Sequence, residues 1–427
     1  IEISFYNGIS SVLGKAFQLS MYNEFAGDPG FIKEDLKRVL DVKKEDVIRV
    51  YNKYIKNRNY LMTSFVPKNK PELIVEGAVP FKIKEEKIVR GKEKKIVADP
   101  NFKYPRTKTK IDRSEPELSI LPDRKIPDIW ESKLANQIKI IGMKHTELPL
   151  IDFEMIIKGG KKLDPIDRIG TANILAALMM EGTRTKTPEE LEDEIGLLGS
   201  NINIYASEQG LHIRVNTLKR NYIKTMKIIN EMILEPRFDP KEFEIIKKRV
   251  LARIRQTQIN PVYMAMNYLK SVMYGSKNPA AIQVMGTTQT VNSITLDDVK
   301  SYYKTKLSPH NTTVVIAGNY DDRIVKNGFA YLEKNWKKQN VQFPASKKLT
   351  KKPDHRLYFI NRPGAKQSVI FGGKFTVPVT QPDYYKINLA NNRLGSGGSS
   401  RLFQTLRIQK GYTYGAYSFQ RPANDLS

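Results

Sequence analysis

The chain has 427 residues, 40% of them hydrophobic, and carries 71 Lys and Arg against 45 Asp and Glu, a formal charge of +26. That length suffices for two or three domains with cores of their own, and no apolar run approaches the ~18 residues of a membrane-spanning helix. Cysteine is absent, which excludes disulfides and thiolate metal sites, and the positive balance would attract polyanions, anionic surfaces or acidic peptides without choosing among them.

Residues 1–67 have a helical pattern, with Gly27-Asp28-Pro29-Gly30 as a turn between helices. They read as the closing portion of a domain that has no beginning of its own, so the chain is expected to be a fragment. No basic start, apolar core and small-residue cleavage site marks a targeting segment there. Residues 68–125 are rich in Pro and charge and poor in periodic runs, which predicts an extended linker. Between residues 68 and 110 there are 13 Lys or Arg and 6 Asp or Glu, interleaved with Pro, Val and Ile. Without a zinc finger, a helix-turn-helix or an aromatic RNA-binding strand beside it, this stretch reads as solvated linker rather than a nucleic-acid arm.

Domain structure resumes near residue 126. Residues 137–143 and 151–157 suggest a strand pair closed by Gly159-Gly160; two helices, two strands at 202–206 and 211–218, and two further helices follow. Thr187-Pro188-Glu189-Glu190 is a helix start, with Thr187 as cap, Pro188 in the first turn and Glu190 able to reach back to the cap. Residues 222–234 place Tyr222, Met226, Ile229 and Ile233 on one face, and Asp239-Pro240 opens a helix carrying Phe243, Ile246, Val250 and Ile254. This order predicts an α+β fold, an antiparallel-rich sheet covered by helices on one face.

The chain also repeats itself. At one fixed offset Asp46, Val47, Tyr51 and Asn59 match Asp298, Val299, Tyr303 and Asn311. Each copy, 41–65 and 293–317, reads as a capped amphipathic helix, a short turn and a strand, expected at 60–66 and at 312–318. Two related α/β units follow from this.

From Leu389 to Ser418 a glycine loop, a helix and an aromatic stretch succeed one another. Ser399 or Ser400 can cap the helix through Leu402, Leu406 and Arg407; Gly411 ends it, and Tyr412, Tyr414 and Tyr417 begin a β-rich run. Taken alone, the loop from Gly395 to Ser400 is an anion-binding glycine loop or a simple feeder into the helix.

Taken with Arg407 and Tyr414, seven residues apart, this segment resembles the pitrilysin/insulinase family of zinc metallopeptidases. The runs at 130–136, Ile157-Lys158-Gly159-Gly160 and Val315-Ile316-Ala317-Gly318 extend the resemblance over nearly the whole chain. Active halves of that family carry His-x-x-Glu-His on a helix after Gly-x-Ala and before Gly-Thr, where two imidazoles one turn apart hold zinc and the Glu takes a proton from the bound water. Here Gly170-Thr171-Ala172 and Gly182-Thr183 keep the frame, but Asn173 and Ala177 stand at the His positions and Ala176 at the Glu.

The resemblance therefore implies the non-catalytic C-terminal half of a clamshell peptidase: two homologous α/β subdomains, the last one incomplete, with no metal on this helix. Residues 1–67 would be the tail of the preceding zinc-bearing half, 68–125 the basic linker, 126–345 the degenerate subdomain and 346–427 the start of the final one. Zinc is expected in the homologous partner half, whether the same polypeptide or a separate subunit, and Arg407 and Tyr414 would hold a peptide substrate. The family's downstream Glu would fall near Glu244, at a shorter spacing than usual, where a surface glutamate is the better reading. His145, His212, His310 and His355 lie too far apart to replace the motif and read as turn or surface residues. A non-enzymatic structural or chaperone-like relative of the same fold is the alternative, and a basic nucleic-acid binder the remote one; no nucleic acid and no membrane span are expected, and a bacterial periplasmic or cell-envelope setting is.

Overall fold

The computed structural model describes residues 1–79, 114, 117, 127–276, 278–345 and 356–422. Most of the expected linker, and His355, lie outside them. Contacts divide the chain into two units, Ile1–Ile32 with Pro127–Ser427, and Lys33–Ile126.

In the larger unit the chain begins with helices α1 (Glu2–Gly8) and α2 (Val12–Ala26). Ser11 caps α2, its Oγ accepting the Gly14 N–H at 3.0 Å, and Gly27 ends it in the left-handed conformation, φ 76°. The smaller unit holds α3 (Ile32–Leu40) and α4 (Lys44–Tyr54), neither of which contains a buried residue. The strand expected over 60–66 does not form, and Tyr60, Leu61 and Phe65 are exposed. A strand exists only through a neighbour that takes its N–H and C=O groups, and among the described residues none lies beside this one.

Six strands build one sheet in the larger unit: β1 (Ile129–Lys133), β2 (Lys139–Lys144), β3 (Leu150–Lys158), β4 (Asn201–Ala206), β5 (Gly210–Leu218) and β6 (Thr312–Gly318). The spatial order is β1-β2-β6-β3-β5-β4, with β2–β6 parallel and the other pairs antiparallel. Residues 137–143 and 151–157 are therefore not partners. The C-terminal strand β6 slides between them, hydrogen-bonded to both. β1 went unread because its pattern, Ile-Trp-Glu-Ser-Lys, is half charged; it is an edge strand whose Trp130 lies over Gly142, where a Cβ would stand 2.2 Å from the indole.

One face of the sheet meets the helices. Phe153 of β3 packs edge-on against Tyr222 and Phe329, and Ile140, Met155, Ile213, Val215, Val314 and Ile316 are buried with it. Covering that face are α5 (Thr171–Leu178), α6 (Pro188–Leu197), α7 (Tyr222–Leu234), α8 (Pro240–Gln258), α10 (Thr288–Ser293), α11 (Leu296–Lys306) and α12 (Asp322–Asn335), while α9 (Pro261–Tyr274), which has no buried residue, packs on α8. The predicted caps hold: Thr187 Oγ1 accepts from Glu190 N while Glu190 reaches back to Thr187 N at 2.8 Å, and Asp239 accepts from Lys241 N. The fold is α+β with an antiparallel-rich sheet.

The other face is polar, presenting Asp152, Glu154, Lys158, His212, Arg214 and Asn216 in alternation with the core. At one end α1 reaches it. Ile3 packs with Leu150 and Leu218, Asn7 Nδ2 donates to Asn216 Oδ1 at 2.9 Å, and Glu2 pairs with Arg220.

Beyond residue 356 the described chain contains α13 (Asp383–Gly395) and a π-helical turn, Phe403–Gln409. The β-rich run expected from Tyr412 does not form. Residues 412–418 pair with no strand among the described residues; Ser418 N bonds Gly395 O (3.1 Å) and Asn391 exchanges hydrogen bonds with Ser418. As with 60–66, aromatic β propensity without a neighbouring strand gives no ladder.

Candidate functional site

Helix α5 carries the degenerate motif. Gly170 precedes it at φ 117°, where a Cβ would stand 2.9 Å from Met285 O, and Asp164 closes the helix start, accepting from Gly170 N at 2.9 Å and Ala172 N at 3.0 Å. Burial pushes the Asp164 carboxyl up to about 7, against the pull of those N–H groups and of Lys161. Ile174, Leu175 and Leu178 of α5 are fully buried and so is Ala176, whereas Asn173, Ala177 and Met180 form a half-buried face. Along the same helix end runs a cleft of about 600 Å³ beside edge strand β4, lined among others by Met180, Glu181, Leu191, Glu192, Asn203 and Arg214.

This donor set does not fit a zinc ion. Ala176 and Ala177 offer no donor atom and Asn173 only a neutral amide, whereas zinc takes imidazoles, thiolates and carboxylates. Nor do three His, Asp or Glu side chains group to hold a metal anywhere among the described residues. Glu244 points to solvent. Nearby, burial and the charges of Glu242 and Glu192 raise the Glu181 carboxyl above its ordinary value, partly offset by Arg249 at 3.7 Å. His145 and His310 are exposed, the latter in the Pro309–Asn311 turn.

Arg407 and Tyr414 come together. Within the π-helical turn Lys410 N reaches Thr405 O and Tyr412 N reaches Leu406 O, both at 3.0 Å, and Gly411 reverses the chain at φ 64°. The Arg407 guanidinium thereby lies over the Tyr414 ring, 4.8 Å from its centroid, and the ring is 82% exposed. Such stacking fixes the guanidinium plane while leaving its N–H donors for a ligand. The serine cap does not form: Ser400 Oγ donates to Gly397 O at 2.7 Å. A widened turn of this kind recurs at functional sites.

Sequence reasoning missed one grouping. His212, read as a turn or surface residue, is half-buried in mid-strand between Glu154 and Ser207. The alternation of β5 could have placed it on the polar face, but its partners come from β3 and from the turn after β4, which no local pattern joins.

Residues 149–288 match the insulinase family (peptidase family M16), and residues 293–427 match the peptidase M16 inactive domain. The chain is 24% identical over 285 residues to a non-peptidase homolog from Helicobacter pylori, a match spanning 66% of this chain and 64% of that protein. It is 23% identical over 295 residues to an uncharacterized zinc protease of Bacillus subtilis, covering 68% and 69% of the two chains. Among solved structures it resembles the peptidase M16 inactive domain from Pseudomonas fluorescens, with a TM-score of 0.58, 20% identity and 69% and 71% of the two chains covered. A protease from Helicobacter pylori gives a TM-score of 0.57 at 18% identity over 71% and 74%.

Proposed function

We propose, from the premise that this chain belongs to the insulinase family of peptidases (M16), that it is the non-catalytic half of a two-half peptidase and holds an extended peptide for a zinc-bearing homologous half. The observation that carries this reading is the exposed Arg407–Tyr414 pair, kept in a fold whose α5 has neither imidazole nor carboxylate at residues 173, 176 and 177. Arg407 N–H groups and the Tyr414 hydroxyl would donate to substrate carbonyl oxygens or to the oxyanion that develops in the partner's reaction. The chain's own cleft beside β4 does no hydrolysis in this reading, and the charge of +26 favours acidic peptides.

Mixing the chain with a zinc-bearing homologous half and an unfolded fluorogenic peptide tests it. Tyr414→Phe or Arg407→Ala should lower kcat/KM about tenfold or more with an unchanged melting temperature. Cleavage at the native rate by both variants would sink the role. A second reading, a structural relative without catalysis in either half, is favoured by the description of the Helicobacter pylori relative as a non-peptidase homolog. It expects no cleavage in any mixture.

A further inference from the structure

The polar face of the sheet carries a second chemical grouping, independent of the peptidase reading. Strand alternation brings Glu154, Tyr205 and His212 out on the side away from the helices. The His212 ring lies flat on Tyr205, centroids 4.7 Å apart and planes within 4°. His212 Nδ1 is 2.8 Å from Glu154 Oε1, to which the Tyr205 hydroxyl also donates at 2.9 Å. On the far side of the ring, Nε2 is 2.9 Å from Ser207 Oγ. Ser207 opens the turn between β4 and β5, and its Oγ accepts the N–H of Gly210 at 3.1 Å and of Gln209 at 3.3 Å.

These contacts fix the tautomer. A carboxylate at Nδ1 keeps the imidazole proton there, so Nε2 presents a lone pair to the Ser207 hydroxyl at 2.9 Å, the shorter of that hydroxyl's two acceptors, the other being Gly210 O at 3.2 Å. Burial works against ionisation of Glu154, but the hydrogen bonds from His212 and Tyr205 outweigh it and hold that carboxyl below its ordinary value. Two N–H donors on Oγ stabilise negative charge as the hydroxyl proton leaves. A serine, a base within hydrogen-bond reach and a carboxylate that orients the base are the three parts of an activated nucleophile. Ser207 and His212 are half-buried, at the turn between β4 and β5 on the rim of the sheet.

We propose that Ser207 is an acylation site, with His212 as its general base, Glu154 as a positioning residue and activated carboxylic esters as its substrate class. The cations Lys158 on β3 and Arg214 on β5 share this face and favour esters that carry a negative group. Oγ bonds to the acyl carbon as the bond from that carbon to the leaving oxygen breaks. The hydroxyl proton passes to His212 Nε2 and then to the leaving oxygen. A water deacylates the serine by the same path in reverse, regenerating the hydroxyl and releasing the acid.

The test uses the full chain with a fluorophosphonate probe and with p-nitrophenyl acetate, read by intact mass, peptide mapping and nitrophenolate release. One adduct is expected, on the peptide holding Ser207, and none there in Ser207→Ala. His212→Asn should slow labelling by about a hundredfold or more. Glu154→Gln, by removing the anion beside the imidazole, should move the midpoint of the pH–rate profile to lower pH; the charged and titratable groups around that ring are Glu154 and Tyr205, which touch it, Lys158 of β3 and Arg214 of β5 on the same face, and Glu208 in the turn. A folded native protein that takes no adduct on Ser207, an adduct on a tyrosine or lysine instead, or labelling of His212→Asn at the native rate would each overturn the assignment.

Discussion

The two copies of the internal repeat share a sequence pattern and differ in fate. In residues 293–317, Val299 of α11 is fully buried, Tyr303 donates to Ile233 O at 2.8 Å, Asp298 pairs with Arg168 at 2.7 Å, and the strand that follows is paired on both edges, by β2 and β3. In residues 41–65 the matching Val47 is 58% exposed, Tyr51 is exposed, Asp46 meets only groups of its own helix and its cap, Arg49 and Lys43 N, and no strand forms. Local pattern suffices for the helix in both copies. The strand depends on what lies beside it, because its hydrogen bonds are all made to other segments.

The sharpest way to break that comparison is a charge at equivalent strand positions. Val314→Asp places a carboxylate in the sheet core, where Val314 is 0% exposed, and should cost about 4 kcal/mol or more, enough to unfold the larger unit in urea titrations. Met62→Asp, at the matching place in the first copy, should change the transition by about 0.5 kcal/mol or less, since Met62 is 57% exposed. Equal effects would mean that the first copy is buried as the second is.

A pH titration probes the same unit through Asp164. Its carboxyl sits near 7 in the folded protein against an ordinary 3.8, so the stability it contributes is complete below about pH 4 and is lost as the pH rises through about 7. The unfolding free energy followed from pH 5 to pH 8 should fall by an amount on the order of a few kcal/mol. Asp164→Asn should remove that slope; a slope that persists in the variant would assign it to another group.

Much of this architecture was legible in the sequence because helix starts and strand alternation are local. Thr187 and Glu190, Asp239 and Pro240, and the apolar rows of α7 and α8 state their elements outright. What could not be read is what joins distant residues: the insertion of β6 between β2 and β3, the pairing of half-charged β1, and the gathering of Glu154, Ser207 and His212 from separate segments. At the candidate site the absent ligands were legible, since Asn173, Ala176 and Ala177 are identities. The π winding that puts Arg407 over Tyr414 was not, because a helix widened by one residue has no simple sequence signature.

A smaller contrast isolates one hydrogen bond. Tyr303 remains protonated at neutral pH, its phenol pushed up to about 12 by burial, and so keeps donating to Ile233 O. Tyr303→Phe should cost about 1 kcal/mol by denaturant unfolding, and Tyr51→Phe in the other copy nearly nothing.

The last contrast is in the caps. Thr295 accepts from Asp298 N at 3.2 Å while Asp298 reaches back to Thr295 N at 2.9 Å, so both halves of the exchange are made. At the same place in the first copy, Asp46 reaches back to Lys43 N at 3.2 Å, but a lysine side chain has no acceptor to return the bond. Thr295→Ala should therefore destabilise the larger unit by about 1 kcal/mol, whereas Lys43→Thr should add helix, read by circular dichroism, and stabilise α4 by a similar ~1 kcal/mol. If Lys43→Thr adds no helix while Thr295→Ala costs its full amount, α4 is limited by its missing tertiary contacts rather than by its half-made cap, and neighbours would then decide the helix of this repeat as they decide its strand.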